Sequence, residues 1–267
     1  MGPGRAKEAW ILSSQYNMME MMICTAAKFL ENGKTVAVGT GAPCAAAMLA
    51  QKTHAPDLVV VFEAGGIAPQ LPQMPISVGD SRTFFRAVMA AGMCEMMTTC
   101  SRGLVDYAFL GGAQIDAYGN LNSTIVGDYA QPKVRFPGSG GANDFASMCW
   151  RTMIMTVHNQ SRFVEKVDFV TSPGFLTGPG AREAAGLAPG SGPHKIVTDL
   201  AVMGFDHASK RMMVESLHPG VTLDKVREST GFELLVADHV EVTADPNQDE
   251  LTILREEVDP LRYVIGR

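Results

Sequence analysis

The sequence predicts an α/β protein whose open, mostly parallel sheet carries helices on both faces. Two observations predict it. The first is the run Leu58-Val59-Val60-Val61-Phe62, five consecutive apolar residues, three of them β-branched. An apolar run without alternation suits a strand buried on both faces, as in a parallel sheet flanked by helices. The second is what precedes it: a short strand at Thr35–Val38, a helical stretch from about Pro43 to Lys52, and the punctuation Ala55-Pro56-Asp57. Strand, helix and strand in that order form a β-α-β unit, which crosses over right-handed.

The remaining elements follow in chain order. Residues 1–7 read as a loose tail, and Tyr16 to Phe29 as an amphipathic helix closed at Asn32-Gly33. A proline-rich loop covers Ala68 to Val78, after which Asp80 or Ser81 can cap a helix from about Thr83 to Cys94. Val105–Leu110, Leu121–Val126, Thr152–Val157, Phe163–Thr171, Ile196–Met203 and Met212–Leu217 read as strands. A helix is expected at Asn143–Trp150, another from a Thr222 cap to Ser229, and a last one at Asp249–Glu257. The Gly/Pro-rich stretch 172–193 reads as a long loop, of the kind that is functional or mobile. No repeat, linker or charge block divides the chain, so residues 1–267 are expected to form one domain.

Composition excludes several classes. A net charge of −6 argues against nucleic acid as the main partner. No stretch approaches the roughly 20 apolar residues of a membrane span, and Glu20 interrupts the methionine run at 18–22, which lacks the layout of a signal peptide. Five cysteines without a Cys-x-x-Cys pair read as buried free thiols in a reducing cytoplasm. No His-x-x-x-His pair, Gly-x-Ser-x-Gly elbow or phosphate-binding Walker loop is present, and no metal is expected. The pair Gly39 and Gly41 is a poor dinucleotide fingerprint, because Cys44 stands where the third glycine belongs.

Two candidates for chemistry remain. Glu63 ends the apolar strand, and ligands of open α/β sheets bind outside the carboxyl ends of strands. It is either a catalytic carboxylate or a solvated or salt-bridged strand end. Gly65 and Gly66 after it would let a substrate or another backbone approach closely. The second candidate is Gly138-Ser139-Gly140-Gly141-Ala142 ahead of the predicted helix. Three glycines in four residues make either a tight turn or a nest of free N–H groups that binds an anion or oxyanion. A carboxylate nucleophile and an oxyanion nest together point to acyl transfer.

A family likeness then adds to this reading. The chain resembles the class I CoA-transferases, and among them the B subunit of the glutaconate type, over residues 16–262. The specific blocks are Leu110-Gly-Gly-Ala-Gln-Ile-Asp-Ala-Tyr-Gly-Asn-Leu-Asn-Ser-Thr124 and Phe136-Pro-Gly-Ser-Gly-Gly-Ala-Asn143, with Ser77-Val-Gly-Asp80 and Val170-Thr-Ser-Pro-Gly174 beside them. The resemblance implies that Glu63 is the covalent nucleophile of a ping-pong exchange through a glutamyl-CoA thioester. It implies that Gly140, Gly141 and Ala142 form the oxyanion loop and that Gly65 and Gln114 lie with the substrate. Coenzyme A enters as substrate with no tightly bound cofactor, the acceptor implied is a small dicarboxylic acid, and a partner A subunit completes the site. Arg86, Arg135 and Arg182 are the choices in this chain for a distal carboxylate. The family's usual Glu-Ser-Gly or Glu-Asn-Gly is here Glu63-Ala64-Gly65, which leaves open a CoA-thioester hydrolase or lyase with Glu63 as general base.

Overall fold

The computed structural model describes residues 15–266, so the tail expected at 1–7 lies outside the described residues. Helix α1 (Met18–Ala27) opens the described fold; the Asn17 side chain accepts from the Glu20 N–H while the Glu20 carboxylate accepts from the Asn17 N–H. Strand β1 (Thr35–Val38), helix α2 (Ala42–Lys52) and strand β2 (Val59–Phe62) then form the β-α-β unit, with β1 and β2 parallel. Short strands β3 (Gly66–Ile67) and β4 (Met89–Ala90) follow, then helix α3 (Met93–Ser101) and strand β5 (Tyr107–Leu110). Two small hairpins come next, β6 (Gln114–Ile115) with β7 (Leu121–Asn122) and β8 (Ile125–Gly127) with β9 (Pro132–Arg135). Helix α4 (Ala142–Met148), strand β10 (Arg151–Thr156), helix α5 (Ala181–Ala184) and strands β11 (Gly192–Thr198), β12 (Ala201–Phe205) and β13 (Met212–Leu217) continue the chain. Helix α6 (Leu223–Glu228), edge strand β14 (Leu235–Val242) and helix α7 (Gln248–Ile253) close it.

The main sheet has ten strands in the order β14-β13-β12-β11-β10-β5-β1-β2-β3-β4. Its centre, β11-β10-β5-β1-β2, is parallel throughout. Antiparallel pairs flank that block on each side. Side chains of the central strands alternate between two cores, as the period of two requires. Val36, Val38, Val60, Phe62, Tyr107 and Phe109 pack with α1, α2 and the α7 residues Leu251 and Ile253. Ala37, Val61, Ala108, Leu110 and Ile154 pack with Met96 and Cys100 of α3 and Phe145 and Ala146 of α4. Helices therefore cover both faces, as the unbroken apolar strands predict.

Four expectations are corrected. Asp80 does cap a turn, accepting from the Arg82 N–H at 2.9 Å, but only a single 3-10 turn forms at Ser81–Phe84. The chain must then extend so that Met89 and Ala90 can pair with β3, and the helix starts at Met93 instead. The expected strand Leu121–Val126 is split between two hairpins, and Ile196–Met203 folds back on itself as β11 and β12. Phe163–Thr171 is not a strand: its ladder-type pairing with the β6–β7 hairpin is confined to isolated bridges near its ends, Ile115 with Phe163 and Leu121 with Ser172, and Asp168 between them bonds the Gln114 side chain. Strand β14 escapes the sequence reading because its apolar residues are interrupted by Asp238, His239 and Glu241 at the sheet edge.

Cys24, Cys44, Cys100 and Cys149 are buried, and Cys94 is exposed. No helix among the described residues is long and apolar enough to cross a membrane.

Candidate active site

Glu63 is the residue after β2 ends. Val61 faces the core shared with α3 and α4, so the period of two carries Glu63 to the same side. That side holds the start of α4, where Gly141 is the residue before the first helical turn. The Gly141 N–H donates to Glu63 Oε1 at 3.0 Å, a contact between residues 78 positions apart. Gly141 has an ordinary φ of −80°, so its lack of a side chain answers to space. A Cβ there would stand 2.7 Å from Glu63 Oε1 and 2.9 Å from Met97 Cε.

Glu63 opens on a cleft of about 150 Å³ at the carboxyl ends of β1, β2 and β5. Val38 and Gly39 line it from β1, Phe109 and Leu110 from β5, and Val78 from the proline-rich loop. Ser139 through Ala142 form the opposing wall. The position is where open parallel sheets bind ligands. Gly138 and Gly140 hold φ values of +97° and +51°, left-handed conformations that glycine adopts without the strain a side chain would bring. The Gly140 N–H has no protein partner among the described residues. The wall also presents the Ser139 hydroxyl, which accepts from the Asn143 N–H at 3.0 Å.

The structure thus brings Glu63, Gly140, Gly141 and Ala142 together and does not bring Gly65 or Gln114 to them. Gly65 is buried with φ +108°, and a Cβ there would lie 2.1 Å from the Ala91 carbonyl oxygen. Its closeness serves a second backbone, which returns a hydrogen bond from the Ala91 N–H to the Gly65 carbonyl at 2.9 Å. Gln114 is buried with both ends of its amide bonded within the fold: Nε2 donates to Asp168 Oδ2 at 3.0 Å, and Oε1 accepts from Asn122 Nδ2 at 2.6 Å. Arg182 is no carboxylate receptor either. It is buried, and its guanidinium donates to the carbonyls of Pro173, Gly174 and Ala146. Burial pushes its pKa down to about 10. Arg86 and Arg135 are exposed, stacking over Phe85 and Tyr129, and neither lines the cleft.

Sequence reasoning missed the apolar cleft walls Val38, Val78, Phe109 and Leu110. For three of them the signal was available, since Val38 ends the parallel strand beside that of Glu63, and Phe109 and Leu110 close the parallel strand one further along. Within the specific block Leu110–Thr124, Leu110 lines the cleft while Asp116 and Asn120 bond inside the fold. Buried Asp116 accepts from the N–H groups of Tyr118 and Asn120, and Asn120 Oδ1 accepts from the N–H groups of Gly174 and Leu176. Burial raises the Asp116 pKa despite those donors.

A strand-end carboxylate thus faces a glycine turn at the carboxyl edge of a parallel block of strands covered by helices on both faces. The coenzyme A transferase family model matches residues 19–229, and the chain belongs to that family. It is 42% identical over 255 residues to the B subunit of glutaconate CoA-transferase from Acidaminococcus fermentans, covering 92% of this chain and 94% of that one. It is 41% identical over 243 residues to the B subunit of 3-oxoadipate CoA-transferase from Pseudomonas knackmussii, covering 91% and 93%. The crystal structure of glutaconate CoA-transferase from A. fermentans superposes with a TM-score of 0.90 at 38% identity, over 95% of this chain and 98% of that chain.

Proposed function

We propose that this chain is the catalytic B subunit of a heteromeric CoA-transferase in which Glu63 is the covalent nucleophile. The observation that carries the reading is the Glu63 carboxylate at the strand end, open to the cleft, with the Gly141 N–H on its Oε1 at 3.0 Å. Both relatives are named as B subunits, which supports an A subunit as partner, and the chain alone is expected to be inactive.

In the first half-reaction a Glu63 oxygen attacks the thioester carbonyl of an acyl-CoA. A C–O bond forms, the C–S bond breaks, and CoA leaves as thiolate, giving an acyl-glutamyl anhydride. The thiolate then attacks the Glu63 carbonyl carbon. Negative charge develops on the Glu63 oxygen, where the Gly141 N–H already stands, and the first acid departs as carboxylate. A donor so placed is worth about 3 kcal/mol at the transition state. The second half-reaction runs the same steps backwards with the acceptor acid. No proton is gained or lost, so no general acid or base is required of the largely apolar cleft. Glutaconate and 3-oxoadipate, in the names of the two relatives, are both dicarboxylates, which supports a dicarboxylic acceptor here.

The test is to incubate the assembled complex with acyl-CoA, reduce with borohydride and map the modified residue. Reduction at Glu63 is the expected result, and an unmodified Glu63 in an active complex overturns the assignment. Release of free CoA without any acceptor acid would instead favour hydrolysis or cleavage with Glu63 as general base.

A further inference from the structure

A loop with three glycines in four residues has little of its own to hold it in one conformation. Yet the proposed chemistry needs the Gly141 N–H fixed on a carboxylate oxygen to within a fraction of an ångström. The structure holds the loop from outside, and both holds meet on one residue that does not line the cleft. At the front of the loop, Gly138 donates its N–H to the Ser123 carbonyl at 3.1 Å and accepts from Ser123 Oγ at 3.0 Å. Ser123 is fixed in turn by its own N–H, which donates to Thr171 Oγ1 at 2.9 Å. At the back, Asn143 lies two residues beyond Gly141, and its Nδ2 donates to the Thr171 carbonyl at 2.9 Å. Thr171 is buried, shares a hydrogen between its hydroxyl and Thr124 Oγ1 at 2.7 Å, and is tied by its N–H to the Leu121 carbonyl at 2.8 Å.

We infer that Thr171 is a positioning residue for the transfer reaction. Its hydroxyl sets the entry of the glycine loop and its carbonyl sets the exit, so that one buried threonine registers the Gly141 N–H against Glu63. The inference rests on the transfer reading above. It also explains why a segment expected to be a strand is irregular: residues 168–172 spend their polar groups on the loop and the β6–β7 hairpin instead of on a sheet.

The experiment compares the assembled heteromer carrying wild-type, Thr171→Val, Thr171→Ser or Asn143→Ala chains. For each, kcat and both KM values for exchange are measured, with the rate of borohydride-trapped thioester formation at Glu63. Thr171→Val keeps the shape and removes the hydroxyl. It is expected to lower kcat and the trapping rate roughly 10- to 100-fold while both KM values stay within about twofold, as for misplacement of a reacting group. Thr171→Ser is expected to restore most of the loss. Thr171→Val at wild-type kcat, a loss confined to KM, or a Thr171→Ser no better than Thr171→Val overturns the inference. Should Thr171→Val not assemble, Asn143→Ala decides, because Asn143 is exposed and its truncation empties no buried space. An unchanged kcat there also overturns it. A wild-type complex that forms no Glu63 thioester removes the transfer reading itself, and this inference with it; a wild-type complex that forms it no faster than the variants removes this inference alone.

Discussion

Two glycine clusters lie close to Glu63, and they differ in what forbids a side chain. At Gly65 and Gly66 the obstacle is backbone: a Cβ would meet the carbonyl oxygens of Ala91 and Thr83 at 2.1 and 2.0 Å. At Gly141 the obstacle is the Glu63 carboxyl group, the far end of a side chain, together with the tip of Met97. The first cluster is required by the packing of residues 83–91 against the end of β2. The second is required by a contact that contributes little to the fold and is central to the proposed chemistry. Similar-looking glycine pairs thus divide between architecture and reaction, and substitutions that separate stability from turnover test the division.

The largest separation is expected at the carboxylate itself. Glu63→Gln keeps an oxygen where the Gly141 N–H donates, so the fold and the contact survive, but the amide is no nucleophile. Exchange is expected to fall by about 10⁴-fold or more with an unchanged unfolding midpoint. Steady-state rates and a urea melt on the same preparation check it; activity near wild type would remove Glu63 from the mechanism.

The Gly65 pair should behave in the opposite way. Gly66→Ala introduces the backbone clash without a left-handed φ, and Gly65→Ala adds the strain of φ +108°. Each is expected to destabilise the chain by roughly 4 kcal/mol or more, the range in which overlap with fixed backbone places it. Denaturant unfolding measures this, and a loss below about 1 kcal/mol would mean that residues 83–91 yield easily, which would erase the difference between the clusters.

Gly141→Ala sharpens the contrast most directly. The new methyl pushes the Glu63 carboxylate away, which a flexible side chain accommodates at small cost in stability. The hydrogen bond is lost with it, and kcat is expected to fall about 10²-fold, the scale of one missing oxyanion donor. Equal losses of stability and rate would merge the two clusters into one class.

How much of this was legible beforehand follows from the same division. Strands β1, β2, β5 and β10 were readable because burial on both faces writes an apolar run into the sequence. The strand-end position of Glu63 was readable because it directly follows one of them. The helix expected at Thr83–Cys94 failed because a distant pairing, Ala90 with Gly66, overrides local preference. Gln114 was assigned to the substrate on the strength of a motif, when its buried bonds to Asp168 and Asn122 account for it. The contact of Glu63 with Gly141 spans 78 residues, and no local pattern encodes it.

Acid provides a smaller test in the half of the sheet away from Glu63. His158 is buried against Phe163 and bonded to Thr198 and Thr230, and burial pushes its pKa down to about 4. The unfolded chain takes up this proton near pH 6.5 and the folded chain only near 4, so the unfolded state binds more protons in between. Stability is therefore complete above about pH 6.5 and declines as pH falls towards 4, by up to about 3 kcal/mol from this residue. Urea melts across that window should show the decline in wild type and a flatter curve in His158→Gln. A parallel pair of curves would assign the acid sensitivity to other groups.

The smallest expected effect is at Gly140, where the contrast is finest. Its Cβ would meet nothing within 4 Å, yet its φ is +51°. Gly140→Ala therefore adds no clash with Glu63 and keeps the N–H that lines the cleft; it costs only the left-handed conformation, about 1 kcal/mol. For a chain of this size that is a drop of about 2–4 °C in Tm. Turnover is expected to stay within about threefold of wild type, because neither the proposed donor nor the nucleophile moves. The ratio of the Gly140→Ala and Gly141→Ala rates, at matched stability, isolates the one feature that distinguishes these neighbours. A loss of rate at Gly140 as deep as at Gly141 would mean that the loop's backbone path, and not the space beside Glu63, governs the reaction.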